Sequence, residues 1–415
     1  MTSTRVFFSV VIPTRNRPDM AVVALKSVLR QDFTDFEVVV SDNSSPGSGD
    51  QLQATVARIA DSRVVYVEPN AELSMGDHWE FALQHARGEY VGYLTDRMAF
   101  KRDALAKLHL EISMHRAEVM SYSSSGLMEE APPFRLQRPP FSGRAETYEA
   151  AWVVKLLSLS ICPWGAPNML NSFASRPVLN GMASRYPDLM ASSVAPDVSF
   201  GVHVLDQMDH FHYLDEPLML SYGVASSNGA ALSMGRSNEA ARDFVSRMER
   251  MGGLPYAPIP SIISNRNILA HEYCRMRAQQ KSGRFIELDL TRYCQSLSAE
   301  LDQRGSLGDS ADRGLLEAFI KKHNLSMAAP APLGSQLKRA LRSPRSKAVA
   351  RPVMQVASDW LGINPTNRPV GRFASIEDAL AYDEAHPAQP NSRESGFIRA
   401  IDRIELAAAG VAPSC

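Results

Sequence analysis

Strand-like and helix-like patterns of hydrophobic residues alternate along the first 125 residues. The runs Phe7–Ile12, Phe36–Val40 and Tyr90–Leu94 are short, nearly continuous and rich in β-branched and aromatic residues, which is typical of strands buried on both faces. Between the first two runs, apolar residues recur at helical spacing over Val22–Leu29. This alternation predicts an α/β fold with a mostly parallel sheet flanked by helices.

The remainder of the chain changes character several times. Prolines are concentrated over residues 126–145, which predicts a loop or linker, and the hydrophobic pattern is mixed as far as residue 235. The next stretch carries mainly helical patterns. We therefore expect an N-terminal half (1–125), a second half (126–235), a helical extension (236–330), a basic linker (331–352) and a C-terminal helical tail (353–415).

Composition excludes several classes of protein. The 415 residues include 44 Lys and Arg against 45 Asp and Glu, so the chain lacks the basic excess that nucleic-acid binding requires. The 4 cysteines form no CxxC pair, which favours a reducing compartment. No apolar stretch reaches the ~18 residues of a transmembrane helix. We expect a cytoplasmic protein with no nucleic-acid partner.

Residues 338–351 form a local exception in charge. They contain six basic residues and no acidic one. Three interpretations stay open: a solvated linker, a peripheral contact with anionic lipid headgroups, or a binding segment for an anionic glycan. Pro344 and Pro352 disfavour one continuous amphipathic helix here. The sequence does not indicate an oligomeric state.

Polar side chains follow three of the predicted strands. Thr14 and Arg15 follow the first strand, Asp42 the second, and Asp96 the last. In an open parallel sheet, ligands bind at the carboxyl ends of the strands, so these side chains can meet in one crevice. The chemistry suits a nucleotide diphosphate: Asp42 could accept an N–H from a base, and Asp96 could face the pyrophosphate directly or through a metal.

Four stretches carry a resemblance to a known family. Val10–Arg17, Ala24–Gln31, Phe36–Ser44 and Gly88–Asp96 occur in an order and spacing that resembles the family 2 glycosyltransferases of the GT-A fold. The resemblance implies a Rossmann-like nucleotide-sugar-binding half over residues 1–125, with an acceptor-binding and catalytic half after it. It further implies inverting transfer of a sugar from a nucleotide-diphosphate donor.

The same resemblance implies roles for individual residues near the nucleotide. Pro13, Thr14, Arg15 and Asp42 fall where the family contacts the nucleotide. Asp77 lies in a region that the family places beside the donor. A carboxylate at this position could reach the donor sugar, or it could simply cap the helix that follows.

The sequence departs from the family's DxD motif at Asp96. The family has a second acid shortly after the first and uses the pair to hold a divalent metal, whereas this chain has Arg97. A guanidinium can pair with phosphate oxygens in a forked geometry, so Arg97 could partly replace the metal. Alternatively, Asp96 still anchors Mg²⁺ or Mn²⁺ with water and phosphate ligands, or Arg97 merely pairs with a surface carboxylate.

The catalytic base is expected in the second half. The family keeps an acidic residue for this purpose near a helix start after the variable middle region, and Asp197 follows Pro196 at such a place. The helix dipole would stabilise its ionised form, although a plain capping role is the competing interpretation. Asp188 and Asp206 are the alternatives.

Trp164 is the candidate for binding the acceptor. It lies in a loop rich in Pro and Gly, where its ring could stack on a sugar or anchor the loop in the core. The expected function is an inverting glycosyltransferase with a saccharide acceptor, in surface polysaccharide or glycan biosynthesis. The rivals are a catalytically inactive nucleotide-sugar-binding protein, motivated by the missing acid, and a nucleotidyltransferase, which the absence of glycine after the first strand disfavours.

Overall fold

The N-terminal half is a parallel sheet with helical crossovers. The computed structural model describes residues 6–390 except 46, 48, 128, 130, 140, 164, 188, 190–192, 223–238, 251, 305–309 and 328–369. Four parallel strands lie in the order β3-β2-β1-β4. Their bounds are β1 (Phe8–Thr14), β2 (Phe36–Asp42), β3 (Val64–Val67) and β4 (Tyr90–Tyr93), and the helices between them are α1 (Pro18–Leu29), α2 (Asp50–Ile59) and α3 (Met75–Gln84).

The later strands extend this sheet with mixed directions. Beyond β4 the order continues through β9 (Ser172–Ser175), β6 (Val119–Leu127), β7 (Phe134–Gln137) and β11 (Val370–Phe373). The long strand β10 (His210–Ser221) pairs in parallel with β6 and antiparallel with β5 (Met98–Phe100) and β8 (Ala145–Glu149). The predicted α/β class is confirmed, with the parallel arrangement concentrated in the first four strands.

The expectation of a loop over residues 126–145 was wrong. This stretch contains the end of β6, all of β7 and the first residue of β8. Strand β7 has the sequence Phe-Arg-Leu-Gln with alternating buried and accessible positions, a period-2 signal that the surrounding prolines obscured. Strand β8 leads directly into the helix α5 (Ala150–Ser158).

Helices cover both faces of the sheet because alternate strand residues point to opposite sides. After α3 the helices are α4 (Ala104–His115), α5 (Ala150–Ser158), α6 (Arg176–Arg185), α7 (Pro196–Gln207), α8 (Glu239–Arg250), α9 (Asn265–Gln279), α10 (Leu290–Gln303), α11 (Ser310–Lys322) and α12 (Ile376–Ala385). Val10 and Ile12 of β1 pack in a cluster with α1 and α4, whereas Val11 packs with α3, α5 and α7. No helix in the described ranges is both long and apolar enough to cross a membrane.

A segment from the end of the chain packs against the N-terminal half. Strand β11 pairs with β7, and the following helix α12 places Asp383 within 2.8 Å of Lys101 and 2.6 Å of Arg138. Glu384 pairs with Arg30, the residue that follows α1, at 2.9 Å. The expected helical tail therefore includes an edge strand. Two predicted features lie outside the described residues. They are the basic linker, which includes the segment 338–351, and the part of the C-terminal tail near residues 396–409.

Candidate functional site

Asp96 is held at the carboxyl end of the parallel sheet. Thr14, the last residue of β1, donates a hydrogen bond from its hydroxyl to Asp96 Oδ2 at 2.9 Å, and the Arg17 guanidinium lies 3.5 Å from Oδ1. Asp96 is only 4% exposed. Burial raises the pKa of its carboxyl, although the charges of Arg17 and Arg97 and the bond from Thr14 oppose this. The structure thus brings Thr14 and Asp96 together, as expected.

Arg97 is a mostly buried cation beside this carboxylate. Burial lowers the pKa of its guanidinium, and the nearby carboxylates of Asp96 and Asp197 oppose the shift. No ion pair with a surface carboxylate involves Arg97 in the part of the chain that the structure describes. Tyr222 holds the backbone of Asp96 and Arg97 in place. The Arg97 carbonyl accepts the Tyr222 N–H at 3.0 Å, and the Tyr222 hydroxyl donates to the Asp96 carbonyl at 2.9 Å.

Asp197 lies in the first turn of α7, after Pro196 at the helix start. The Asn168 side chain donates to its Oδ2 at 3.2 Å. Burial raises the pKa of the Asp197 carboxyl, while Asn168, the backbone N–H groups of the helix start and the Arg97 charge oppose the shift. Gly201 permits this arrangement, since a Cβ there would meet the Pro167 carbonyl oxygen at 2.1 Å. The carboxylate therefore combines capping with an electrostatic link to Arg97.

Asp206, one of the two alternative bases, does not share this position. Asp206 is near the other end of α7, where its carboxylate accepts hydrogen bonds from Tyr186, Ser282 and the Lys281 N–H. Burial alone would raise its pKa, but these hydrogen bonds outweigh it and lower the pKa of the Asp206 carboxyl. Asp188 lies outside the described residues.

Asp42 ends β2 directly opposite Thr14 in the β1–β2 register. Its Oδ1 accepts the Ser44 N–H at 2.9 Å, and its Oδ2 accepts the Tyr66 hydroxyl at 3.1 Å. Gly49 is the residue that leaves room beside it, since a Cβ there would lie 2.9 Å from Asp42 Oδ2. The Ser44 hydroxyl also donates to Oδ1, so three protein hydrogen bonds orient the carboxylate and one lone pair on Oδ2 is left for a further N–H.

The loops after β1 and β2 are tied together by residues that the sequence analysis did not select. Asn16 adopts a positive φ of 55°, donates its N–H to Ser44 Oγ at 2.8 Å and accepts the Ser45 N–H at 3.0 Å. Asn43 holds the backbone N–H and C=O of Leu73 through its side-chain amide. The sequence does contain a signal for these contacts, which is the high content of Asn and Ser in the two turns. Such side chains form hydrogen bonds to neighbouring backbone groups.

The other proposed nucleotide residues occupy the rim and the strand itself. Pro13 pairs with Ser41 one position before the strand ends. Arg15 points to the rim and forms an ion pair with Glu72 at 2.7 Å. Asp77 accepts the Ser74 hydroxyl at 2.6 Å while its own N–H bonds to Ser74 Oγ, so it takes part in capping α3. Its contact with a donor sugar stays a prediction.

A cavity lies beside the first turns of α7. It measures about 330 Å³ and is bounded by the 162–168 loop, by Ser123 and Ser124 of β6 and by Val198 and Gly201 of α7. Trp164, the residue expected to stack on an acceptor, belongs to this loop but lies outside the described residues. The role of Trp164 in stacking on an acceptor stays a prediction.

A divalent metal would find few protein ligands here. Among the described residues, no group of three or more His, Cys, Asp and Glu side chains is arranged to hold a metal ion. Asp96 itself is flanked by the guanidinium groups of Arg17 and Arg97, whose positive charge disfavours a cation at the same carboxylate. The donor set therefore fits an anionic ligand better than it fits a tightly held metal.

His78 gives the site a predictable response to acid. It is buried behind β2 with Nε2 2.9 Å from Ser41 Oγ, and burial lowers its pKa to about 4. An unfolded histidine titrates near 6.5, so between pH 6.5 and about 4 the unfolded chain binds a proton that the folded chain does not, and stability falls as pH falls. We expect His78→Gln to lessen the loss in the free energy of unfolding between pH 7 and pH 5 by about 2 kcal/mol.

Urea unfolding of the wild type and His78→Gln at both pH values measures this difference. The substitution keeps a nitrogen near the Nε2 position, so the Ser41 contact can persist. An identical pH dependence in the two proteins would contradict the buried neutral state of His78.

Part of the chain matches the model of a known protein family. Residues 9–148, about a third of the chain, match the model of Glycosyl transferase family 2. This match confirms the resemblance seen in the sequence over that segment. It includes Thr14, Asp42, Asp96 and Arg97 and ends before Asp197.

Two curated relatives align with the same region. "Putative colanic acid biosynthesis glycosyl transferase WcaA" of Escherichia coli is 35% identical over 88 residues, 21% of this chain and 31% of that protein. "Putative teichuronic acid biosynthesis glycosyltransferase TuaG" of Bacillus subtilis is 32% identical over 131 residues, 31% of this chain and 51% of that protein. The chain thus spans about a third to a half of the length of these relatives. A crystal structure of Staphylococcus aureus TarS 1-349 in complex with UDP-GlcNAc is 17% identical with a TM-score of 0.44, covering 76% of this chain and 88% of that one.

Proposed function

We propose that the protein is an inverting glycosyltransferase that uses a nucleotide-diphosphate sugar, because residues 9–148 match the model of Glycosyl transferase family 2. The observation that carries the proposal is the line of groups from Asp42 and Thr14 through Asp96 and Arg97 to Asp197. A saccharide acceptor in surface polysaccharide or glycan biosynthesis agrees with the names of the two relatives, which concern colanic and teichuronic acid.

The chemistry assigned to the site is a single in-line displacement at the anomeric carbon. Asp42 accepts an N–H of the nucleotide base, and Arg97 pairs with the diphosphate and neutralises the charge that it gains on leaving. Asp197 takes the proton of the acceptor hydroxyl as its oxygen attacks from the face opposite the diphosphate. Attack from that face inverts the configuration at the anomeric carbon.

The raised pKa of Asp197 suits this role. A carboxylate with a higher pKa is a stronger base, and a general base works best when its pKa approaches the operating pH. Asp96 contributes differently: with Thr14 and Arg17 on its two oxygens, it orients Arg97 and the end of β4. Mg²⁺ or Mn²⁺, where bound, would neutralise diphosphate charge beside Asp96, and we propose that Arg97 largely replaces it.

A panel of nucleotides tests the proposal. Melting temperature is measured with UDP, GDP, CDP and dTDP, each in the presence of Mn²⁺ and of EDTA. The release of the nucleoside diphosphate from the matching nucleotide sugars is followed in parallel. Saturation at ~100 times Kd contributes about 2.7 kcal/mol, so one nucleotide should raise the melting temperature by a few degrees even in EDTA. No shift with any of the four would contradict nucleotide binding. A shift without turnover of any sugar donor would instead favour an inactive nucleotide-sugar-binding protein.

A further inference from the structure

The helical extension after residue 236 contains a buried ion pair next to the helix that carries Asp197. Glu272 and Arg275 of α9 are 0% and 3% exposed, and Arg275 Nε donates to Glu272 Oε2 at 2.9 Å. Charged groups are seldom buried this completely unless they are paired and fully hydrogen-bonded. Where their remaining hydrogen bonds go therefore indicates what the pair holds in place.

Glu272 bonds to the turn that leads into α7. Its Oε1 accepts the Ser193 hydroxyl at 2.8 Å, the Val194 N–H at 3.2 Å and the Ala195 N–H at 3.4 Å. Ala195 is the N-cap residue of α7, and it has no side-chain oxygen with which to cap the helix. Glu272 thus holds, from a distant helix, the N–H groups just before α7, while the Asp197 carboxylate accepts N–H groups of the first turn.

Arg275 holds the same helix start from its other side. Its guanidinium donates to Ser199 Oγ at 2.6 Å, and Ser199 Oγ bonds in turn to the Leu189 carbonyl at 3.1 Å. Ser199 lies two residues after Asp197, whereas Ala195 lies two residues before it. The ion pair therefore contacts the chain on both sides of Asp197: backbone N–H groups before it and the Ser199 hydroxyl after it.

We propose that Glu272, together with Arg275, is a positioning residue that sets the place of the Asp197 carboxylate. This inference rests on the proposed function, in which Asp197 must meet an acceptor hydroxyl. A displacement of about 1 Å in such a group can cost on the order of 100-fold in rate without any change in donor binding. The helical extension is then a support for the catalytic step.

The chain offers a matched control. Glu300 of α10 is also a buried carboxylate that accepts two backbone N–H groups at a helix start, those of Asn265 and Arg266 at 3.0 and 2.9 Å, and it pairs with Arg304 at 3.6 Å. It lies in the same extension but holds the start of α9 rather than α7. Replacing either pair by apolar residues of similar size leaves no orphan charge.

The experiment compares the full-length double variants E272L/R275M and E300L/R304M with the wild type. Hydrogen–deuterium exchange of peptides covering residues 193–200 reports the helix start directly, and kcat, the Kd of the nucleotide and circular dichroism are measured alongside. For E272L/R275M we expect faster exchange at 193–200 and a fall in kcat of roughly 10- to 100-fold, with the nucleotide Kd changed less than about twofold. For E300L/R304M we expect exchange at 193–200 and kcat close to the wild type.

Unchanged exchange at 193–200 in E272L/R275M would overturn the proposal, and so would faster exchange with an unchanged kcat. An equal fall in kcat in both double variants would overturn it too, because it would indicate a general loss of structure. If E272L/R275M does not fold, Ser193→Ala removes one hydrogen bond from Glu272 and is expected to speed exchange at 193–195 and lower kcat roughly threefold. A wild type that turns over no donor would contradict the proposed function, and the exchange data would still decide whether Glu272 holds this turn.

Discussion

Replacing Asp197 with Asn should lower kcat by about 1,000-fold or more while leaving the affinity for the nucleotide diphosphate unchanged. General base catalysis contributes roughly 10²- to 10⁴-fold, and an amide of the same shape cannot take the proton of the acceptor hydroxyl. The amide can still occupy the place of the carboxylate at the start of α7, so the fold should persist. Initial rates of donor turnover and nucleotide titration of the same preparations measure the two quantities separately.

The pH profile sharpens this test. Burial raises the pKa of Asp197, so wild-type kcat should fall as pH drops through that value, because the protonated carboxyl is no base. The residual activity of Asp197→Asn should lack this limb of the profile. A variant with unchanged turnover would reject Asp197 as the base.

Asp206→Asn is the matched control on the same helix. The Asp206 carboxylate accepts hydrogen bonds from Tyr186, Ser282 and the Lys281 N–H. We therefore expect Asp206→Asn to lower the stability of the fold but to leave kcat within about threefold of the wild type. A loss in Asp206→Asn as large as that expected for Asp197→Asn, with folding intact, would transfer the catalytic role to Asp206.

Replacing Arg97 with Met should lower kcat/KM for the donor by roughly 10- to 100-fold. Hydrogen bonds between charged partners contribute about 1.5–3 kcal/mol, and the Arg97 guanidinium is the cation between Asp96 and Asp197 that a diphosphate would meet. Arg97→Lys should recover part of the loss, since it keeps the charge but not the forked geometry. Initial rates over a range of donor concentrations, in Mn²⁺ and in EDTA, measure the effect.

Arg102→Met provides the control for removal of an arginine. Arg102 is a mostly exposed residue paired with Asp32 and lies away from the crevice, so its loss should leave kcat/KM unchanged. Full wild-type activity in Arg97→Met would contradict the role of Arg97 in binding the diphosphate. If turnover also vanished in EDTA and returned with Mn²⁺, the result would identify Asp96 as a metal anchor.

The strands and the polar residues that follow them were predictable from the sequence because both depend on local pattern. A run such as Val10–Ile12 is apolar on consecutive positions since it is covered on both faces, and the polar residues Thr14, Asp42 and Asp96 then mark where each strand ends. The convergence of these three residues follows from the parallel order alone. This part of the site needed no knowledge of the rest of the chain.

The supports of the site were not predictable, because they come from residues far away in sequence. Tyr222 reaches the Asp96 carbonyl across 126 positions, and Glu272 reaches Ala195 across 77. Strand β11 is a four-residue segment whose partner, β7, lies more than two hundred residues earlier, and its own pattern is too short to indicate a strand. Apolar periodicity does not encode such pairings.

The decisive measurement is a structure determined with a bound nucleotide sugar, chosen by the thermal-shift panel. We expect the nucleotide base to lie beside Asp42 and a diphosphate oxygen to lie within about 3 Å of the Arg97 guanidinium. We expect the anomeric carbon to face Asp197 across a gap open to the 162–168 loop. A nucleotide bound elsewhere would contradict this assignment, and so would a diphosphate that turns away from Arg97 or a sugar whose face opposite the diphosphate turns away from Asp197.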